Sequence, residues 1–121
     1  MLWIIYIKKL NKNMDINDYQ KTIREYIDYP LELGPFSVIL DLQNNVGALA
    51  NKLNDALVKD HGNFTKVTKT KAVISLGDIL NNICNIAYDL GFDMNDVIGM
   101  NITKHNMEVE KKLKENEVKN P

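Results

Sequence analysis

The chain has 121 residues, a length that favours a single domain with one modest hydrophobic core. Hydrophobic residues make up 45% and charged residues 26%, the balance of an ordinary globular protein. The net charge of −1 excludes the strongly basic surface that DNA or an anionic membrane selects, so we expect neither a nucleic-acid nor a membrane partner.

The first thirteen residues, MLWIIYIKKLNKN, carry a short apolar run over residues 2–7. This run is too short for the apolar core of a signal peptide, roughly 7 or more residues, and for a membrane span of about 20. We therefore expect residues 1–13 to be an extension outside the native domain, disordered or packed as an extra strand or turn. The single cysteine, Cys84, cannot form an intrachain disulfide. We predict that its thiol is buried and that the protein is cytoplasmic.

Two helices are predicted in the first half of the chain. Asp15 or Asn17 can cap a helix over DYQKTIREYID, whose apolar residues recur at helical spacing, and Pro30 should end it. After the connector YPLELGP, a second helix is predicted over about residues 35–59. Gly47 lies within that helix, where we expect it to allow close approach of a neighbouring helix.

Two further helices are predicted in the second half. The lysine-rich segment KDHGNFTKVTKTK is expected to form a loop before a third helix over about residues 69–90, which Gly91 ends. Asp93 can then cap a fourth helix. The remaining residues, 108–121, are highly charged, and we expect a helical tail that frays. No strand pattern is present, so the sequence predicts an all-α domain of four main helices over residues 14–107.

Four positions on the second and third helices have the spacing of a metal site. Asn45 and Ala48 are three residues apart on one helix, and Ser75 and Asp78 are three apart on the next. Residues at this spacing share one face of a helix, so two such pairs on facing helices converge on one point. Carboxylates at all four positions would form a site for Mg²⁺, which prefers oxygen ligands.

The motifs around these positions resemble, in order and spacing, those of the MazG-like family of all-α nucleoside triphosphate pyrophosphohydrolases. The resemblance covers about residues 14–105 and comprises the segments DYQ, LGPFSVILDL, VGALANKL, SLGDIL and LGFDMNDVIGMNITK. It implies a four-helix MazG-like bundle that assembles as a homodimer or a higher oligomer. It also implies Mg²⁺ as the cofactor and a nucleotide pocket between the bundle helices.

The chain departs from this family in its acidic signature. The family carries E-x-x-E on one helix and E-x-x-D on the next, at the positions that here hold Asn45, Ala48, Ser75 and Asp78. Only Asp78 keeps a carboxylate. Mg²⁺ gives up its water reluctantly and relies on carboxylate charge, so one acid is too few to hold the metal ions that the family's chemistry needs. We predict that ordinary hydrolysis is lost.

A rebuilt metal site is the alternative. Asp41 lies one helical turn before Asn45, so Asp41 and Asp78 could together hold one ion, with Glu108, Glu110 or a partner subunit adding a ligand. The competing interpretation is that Asp41 is a solvated acid near the start of its helix.

Our first functional hypothesis is a protein that has lost hydrolysis and binds a nucleotide or nucleotide-like ligand. Side-chain amides would bind the base and sugar, and a lysine would bind phosphate. The candidate residues are Asn44, Asn45, Asn81, Asn82, Asn101 and Lys104. The last two match an N-x-x-K motif of the family. The competing interpretation is that these asparagines simply face solvent.

Two other hypotheses remain open at the level of sequence. One is an active, divergent pyrophosphohydrolase that converts a nucleoside triphosphate to the monophosphate and pyrophosphate, using Mg²⁺ with Asp78 and Asp41. The other is a structural or regulatory helical module that acts through its contacts with a partner.

Overall fold

The computed structural model describes residues 14–27 and 31–119. The helices are α1 (Ile16–Arg24), α2 (Pro35–Lys59), α3 (Lys66–Asp89) and α4 (Met94–Lys119), with a 3-10 turn at Leu31–Leu33 between α1 and α2. Because no strand occurs within these two ranges, the prediction of an all-α chain is confirmed. The extension predicted over residues 1–13 and the helix stop predicted at Pro30 lie outside the described residues.

The first helix begins where the sequence predicts and ends earlier. Asp15 is its N-cap, and the carboxylate accepts a hydrogen bond of 2.8 Å from the backbone N–H of Asp18. The prediction that the helix continues through DYQKTIREYID is wrong, because regular α-helix stops at Arg24. The N–H of Glu25 instead bonds the carbonyl of Thr22 at 3.2 Å, which tightens the last turn.

The second and third helices show how caps decide boundaries. α2 covers Pro35–Lys59, as predicted, with proline in its first turn. α3 begins at Lys66, so about half of the lysine-rich segment expected to be a loop is helical. The cause is Thr65, whose hydroxyl accepts a 3.2 Å bond from the N–H of Thr68.

Gly91 ends α3, as predicted. Its φ of +86° is a left-handed conformation that glycine adopts without strain. The N–H of Gly91 bonds the carbonyl of Tyr88, and the N–H of Phe92 bonds the carbonyl of Ala87, both at 2.9 Å. This pair of bonds is the Schellman arrangement, and it turns the chain towards α4.

The core lies where α1 crosses the end of α3 and the start of α4. Its buried residues are Cys84, Ala87 and Met94, and Tyr19 and Leu80 pack against them. Cys84 is fully buried, which confirms the prediction of a buried thiol. Burial raises the pKa of this thiol, so it stays protonated and unreactive at neutral pH.

One buried glutamine connects α1 to both neighbouring helices. The side-chain N–H groups of Gln20 donate to the carbonyls of Cys84 at 3.0 Å and Phe92 at 3.1 Å. Its carbonyl oxygen accepts a 3.2 Å bond from the backbone N–H of Met94. The N–H of Met94, at the start of α4, and the carbonyl of Phe92, between the helices, lie where a helix offers no partner, whereas the carbonyl of Cys84 lies more than a turn inside α3.

An ion pair fixes the other end of α1. The guanidinium of Arg24 lies 2.7 Å from the carboxylate of Asp89 and 4.2 Å from the centre of the Tyr88 ring. Both charged side chains are largely shielded from solvent. α1 is therefore held against α3 by charge and ring contact as well as by its apolar face.

Much of the remaining apolar surface is exposed. Met94 is the only buried residue of α4, and every residue from Asn95 to Lys119 is exposed, although the helix does not break over the charged tail.

The expectation that Gly47 allows close helix approach is wrong for the single chain, because a Cβ there would meet no side chain or neighbouring element within 4 Å. Within the described ranges, no helix combines the length and apolar character that crossing a membrane requires.

Candidate functional site

A polar cavity of about 450 Å³ lies between the end of α1, the first half of α2 and the middle of α3. Its described wall is formed by Tyr26, Ile27, Ser37, Val38, Asp41, Asn45, Asp78, Asn81, Asn82 and Asn85. Seven of these ten side chains are serine, aspartate or asparagine, so the described wall is mainly polar.

Helical spacing explains why these polar residues meet. Ser37, Asp41 and Asn45 recur every four residues on α2, so they share one face. On α3, Asp78, Asn81, Asn82 and Asn85 fall at spacings of three and four and form a second polar stripe. α2 and α3 pack along each other, so the two stripes face the same space.

Asn82 links the two stripes through a chain of hydrogen bonds. Its amide nitrogen donates to the carboxylate of Asp41 at 2.8 Å, and its amide oxygen accepts from Asn45 at 2.7 Å. The amide nitrogen of Asn45 also lies 3.4 Å from the same Asp41 oxygen. Asn82 is buried, so these bonds satisfy an amide that would otherwise be costly to enclose.

Two buried polar atoms of the wall have no partner within the described residues. The amide nitrogen of Asn85 donates to the oxygen of Asn81 at 2.8 Å, but the Oδ1 atom of Asn85 accepts no hydrogen bond. The hydroxyl of Ser37 is also without a partner. Buried polar groups are normally satisfied, so each of these atoms calls for an explanation.

Asp78 lies on the wall and interacts electrostatically with the phenol of Tyr19. Burial is the main cause that raises the pKa of Tyr19, with smaller electrostatic contributions from Cys84 and Asp78. Tyr19 is therefore a neutral phenol at neutral pH, and it closes the apolar core beside the cavity.

The other positions of the acidic signature are used differently. Ser75 is buried and accepts a hydrogen bond from the ammonium of Lys52, while Ala48 is exposed and outside the cavity wall. Ser75 is one helical turn from Asp78, so the ammonium is fixed next to the face where a metal ion would bind. Within residues 14–27 and 31–119, no cluster of three or more His, Cys, Asp or Glu residues could hold a metal ion.

The structure brings together only part of the set predicted for ligand binding. Asn45, Asn81 and Asn82 line the cavity, whereas Asn44 is exposed outside its wall. Asn101 and Lys104 lie on the exposed part of α4 and do not reach it.

The acids proposed to rebuild a metal site are also divided. Asp41 and Asp78 both line the cavity. Glu108 and Glu110 lie on α4, away from it, and the carboxylate of Glu108 is 3.9 Å from the ammonium of Lys104. The single chain therefore offers two carboxylates and several amide oxygens at this place.

Sequence reasoning missed Ser37, Asn85 and the aromatic and apolar wall formed by Tyr26, Ile27 and Val38. The four-residue spacing of Ser37 with Asp41, and of Asn85 with Asn81, was a usable signal. The sequence places Tyr26 and Ile27 on the apolar face of the first helix, but they follow the end of α1, so the helical pattern does not predict their position in the wall.

The cavity can bind a polar molecule, since its wall offers both hydrogen-bond donors and acceptors. Its described residues include no histidine or cysteine that could act as a base or nucleophile beside Ser37.

No protein-family model matches this chain, and neither a curated protein nor a solved structure matches it.

Proposed function

We propose that this chain is a MazG-like protein that has lost metal-dependent hydrolysis and binds a nucleotide or nucleotide-like small molecule in its polar cavity. One observation carries the proposal: two of the positions that resemble metal ligands are engaged by the protein's own side chains. Asn45 bonds Asn82, and Ser75 bonds Lys52. These contacts are the ones a binding pocket would keep after its metal ions were lost.

Charge supports the loss of hydrolysis. A Mg²⁺-dependent reaction on a triphosphate needs carboxylates to hold the metal and to offset its charge. Here Ser75, at one of the ligand positions, is bonded to the ammonium of Lys52, so this position supplies neither a carboxylate nor a free oxygen to a metal ion.

The dimensions and chemistry of the cavity support ligand binding. A volume of about 450 Å³ falls in the range of small-molecule pockets, roughly 300–1,000 Å³. The amides of Asn45, Asn81 and Asn82 can hydrogen-bond the edge of a base or a sugar hydroxyl. A bound ligand would also give partners to the enclosed oxygens of Ser37 and Asn85.

The exposed apolar surface supports assembly as a homodimer or a higher oligomer. Large apolar side chains are exposed on α2, α3 and α4, a pattern typical of surfaces that bind another protein. In the single chain Asn101 and Lys104 lie away from the cavity, so a role for them in ligand binding requires a second copy.

The deciding experiment combines a turnover assay with a binding assay. Purified protein is incubated with ribo- and deoxynucleoside triphosphates and Mg²⁺ or Mn²⁺, and monophosphate formation is followed by chromatography beside an active MazG-like enzyme. Thermal shift and calorimetry with the same compounds then measure binding. We expect no monophosphate and a ligand-dependent rise in melting temperature.

Clear turnover that disappears in Asp78→Asn, but persists in the control Asp55→Asn, would instead establish the active enzyme with a rebuilt metal site. Asp55 is an exposed residue of α2 outside the cavity wall, so its substitution removes the same charge without touching the site. Absence of both turnover and binding would favour a helical module that acts by binding a partner. The exposed α4 helix would then be its contact surface.

A further inference from the structure

The charge of the cavity wall is one-sided. Asp41 and Asp78 contribute two carboxylates, and none of the other described wall residues is lysine, arginine or histidine. Lys52, the cation bonded to Ser75, does not belong to the wall. A ligand that enters this space meets negative charge that none of the described wall residues balances.

The direction of the hydrogen bonds adds to this charge. The amide nitrogens of Asn45 and Asn82 both point at Asp41, and the amide nitrogen of Asn85 points at Asn81. At least one N–H of each of these three amides is therefore used within the protein, which lowers the number of donors left for a ligand. The Oδ1 atom of Asn85, a residue only 5% exposed, is left as an acceptor that lacks a donor.

A wall with net negative charge and an unpartnered acceptor favours a ligand that donates hydrogen bonds and carries positive charge. Ammonium groups present three N–H donors and guanidinium groups five, and neither has an acceptor. Hydrogen bonds between such groups and carboxylates are among the strongest in proteins. A phosphate group would meet repulsion from both aspartates, and among the described wall residues there is no cation to attract it.

The size of the cavity separates an organic cation from a metal ion. About 450 Å³ is far more space than one ion fills, and two carboxylates with neutral amides are a poor set for Mg²⁺. The aromatic ring of Tyr26 and the side chains of Ile27 and Val38 supply apolar wall for the carbon skeleton of a ligand.

We propose that the cavity binds a small organic cation, an amine or guanidine compound, between Asp41 and Asp78, with its N–H groups directed to the wall oxygens. This inference rests on the proposed function, because both assign ligand binding to the same cavity. It specifies the ligand's charged group as positive, and it places phosphate groups, if the ligand has any, outside the cavity.

The test uses isothermal titration calorimetry of the full chain with agmatine, which carries both an ammonium and a guanidinium group, and with putrescine. Nucleoside triphosphates and MgCl₂ alone are titrated in parallel. We expect binding of the organic cations that weakens as salt is added. Asp41→Asn and Asp78→Asn should each lower the affinity for agmatine about tenfold or more, because each removes a charge-assisted hydrogen bond.

Two further variants separate binding from folding. Asp55→Asn, on the same helix as Asp41 but outside the wall, should bind agmatine as the original chain does. Asn85→Asp loses the bond to Asn81 but keeps an oxygen at the unpartnered position and adds negative charge, so the variant, once circular dichroism shows it folded, should bind agmatine more tightly.

The remaining outcomes overturn the inference in distinguishable ways. Equal affinity for agmatine in Asp41→Asn, Asp78→Asn and Asp55→Asn would overturn the inference. Binding of Mg²⁺ without binding of the organic cations would also overturn it. Binding of a nucleoside triphosphate without binding of the cations would overturn it and leave the proposed function standing. Binding of neither class would overturn both.

Discussion

Gln20 contributes more to the fold than its place in a short surface helix indicates. It is 4% exposed and bonds two carbonyls and one N–H beyond its own helix. Replacement by leucine removes all three bonds. It leaves the N–H of Met94 and the carbonyl of Phe92 without these partners, while the carbonyl of Cys84 can still bond the N–H of Tyr88 within α3. We expect Gln20→Leu to lower the free energy of unfolding by about 2–4 kcal/mol.

Urea denaturation followed by circular dichroism measures this loss. The matched control is Gln43→Leu, at an exposed position of α2, which should change stability by less than about 0.5 kcal/mol. Similar midpoints for both variants would show that the Gln20 bonds contribute little beyond those made with water in the unfolded chain.

The buried thiol of Cys84 predicts a loss of stability in alkali. Burial raises its pKa above the ordinary value of 9.0, so the folded chain keeps a proton that the unfolded chain releases. The stabilising effect is complete below the unfolded pKa and is lost as the pH rises through the folded one. Urea midpoints should therefore fall above about pH 9, and less steeply in Cys84→Ala. Equal slopes in the two proteins would contradict the assignment.

At the scale of single residues, the sequence predicts which side chains share a face but not which atoms meet. The spacing of Asn45 and of Asn82 placed both near the cavity. Their bond to each other and to Asp41 depends on the register of α2 against α3, which one sequence does not determine. The role of Gln20 was missed for the same reason, since its partners are 64 to 74 residues away.

Element boundaries could be predicted where one residue dictates the backbone. Pro35, Gly91 and Asp15 are such residues, and the helix ends beside them lie where the sequence predicts. The start of α3 was misplaced because lysine content was given more weight than the capping hydroxyl of Thr65. The early end of α1 has no comparable residue to mark it.

Thr65→Ala tests the cap of α3. The hydroxyl accepts a hydrogen bond from the N–H of Thr68, which the helix itself cannot satisfy. We expect a loss of about 1 kcal/mol in the free energy of unfolding, measured by urea titration.

The control for this cap is Thr70→Ala. The hydroxyl of Thr70 bonds a carbonyl of its own helix, that of Lys66, so alanine should be neutral or slightly stabilising there. If both substitutions had the same effect, the helix start would be set by packing and not by the threonine hydroxyl.

At the scale of the whole molecule, the all-α class followed from the sequence, but the exposure of α4 did not. Helical periodicity predicts an apolar face and cannot tell whether that face packs within the chain or against another chain. Ile98, Ile102, Val109 and Leu113 lie along one side of α4, and all are exposed.

Self-association through this face is tested by Ile102→Glu. Ile102 is 54% exposed in the single chain, and a carboxylate at its position would be costly to bury in an interface. We expect the unmodified chain to be a dimer or larger by light scattering at micromolar concentration, and the variant to have a lower mass. Thr103→Glu adds the same charge one residue away on α4 and should keep the original mass. A monomeric mass for the unmodified chain would exclude assembly at that concentration.

The bonds of Gln20 also set an order of assembly. α2 and α3 are joined by a short loop and can pair as soon as both have left the ribosome, since local contacts form quickly. α1 is made first, but its glutamine cannot form any of its three bonds until residue 84 has been synthesised, and cannot form all of them until residue 94 has been. The first helix of this chain is therefore among the last to dock, and until then its apolar face is exposed to solvent and to chaperones.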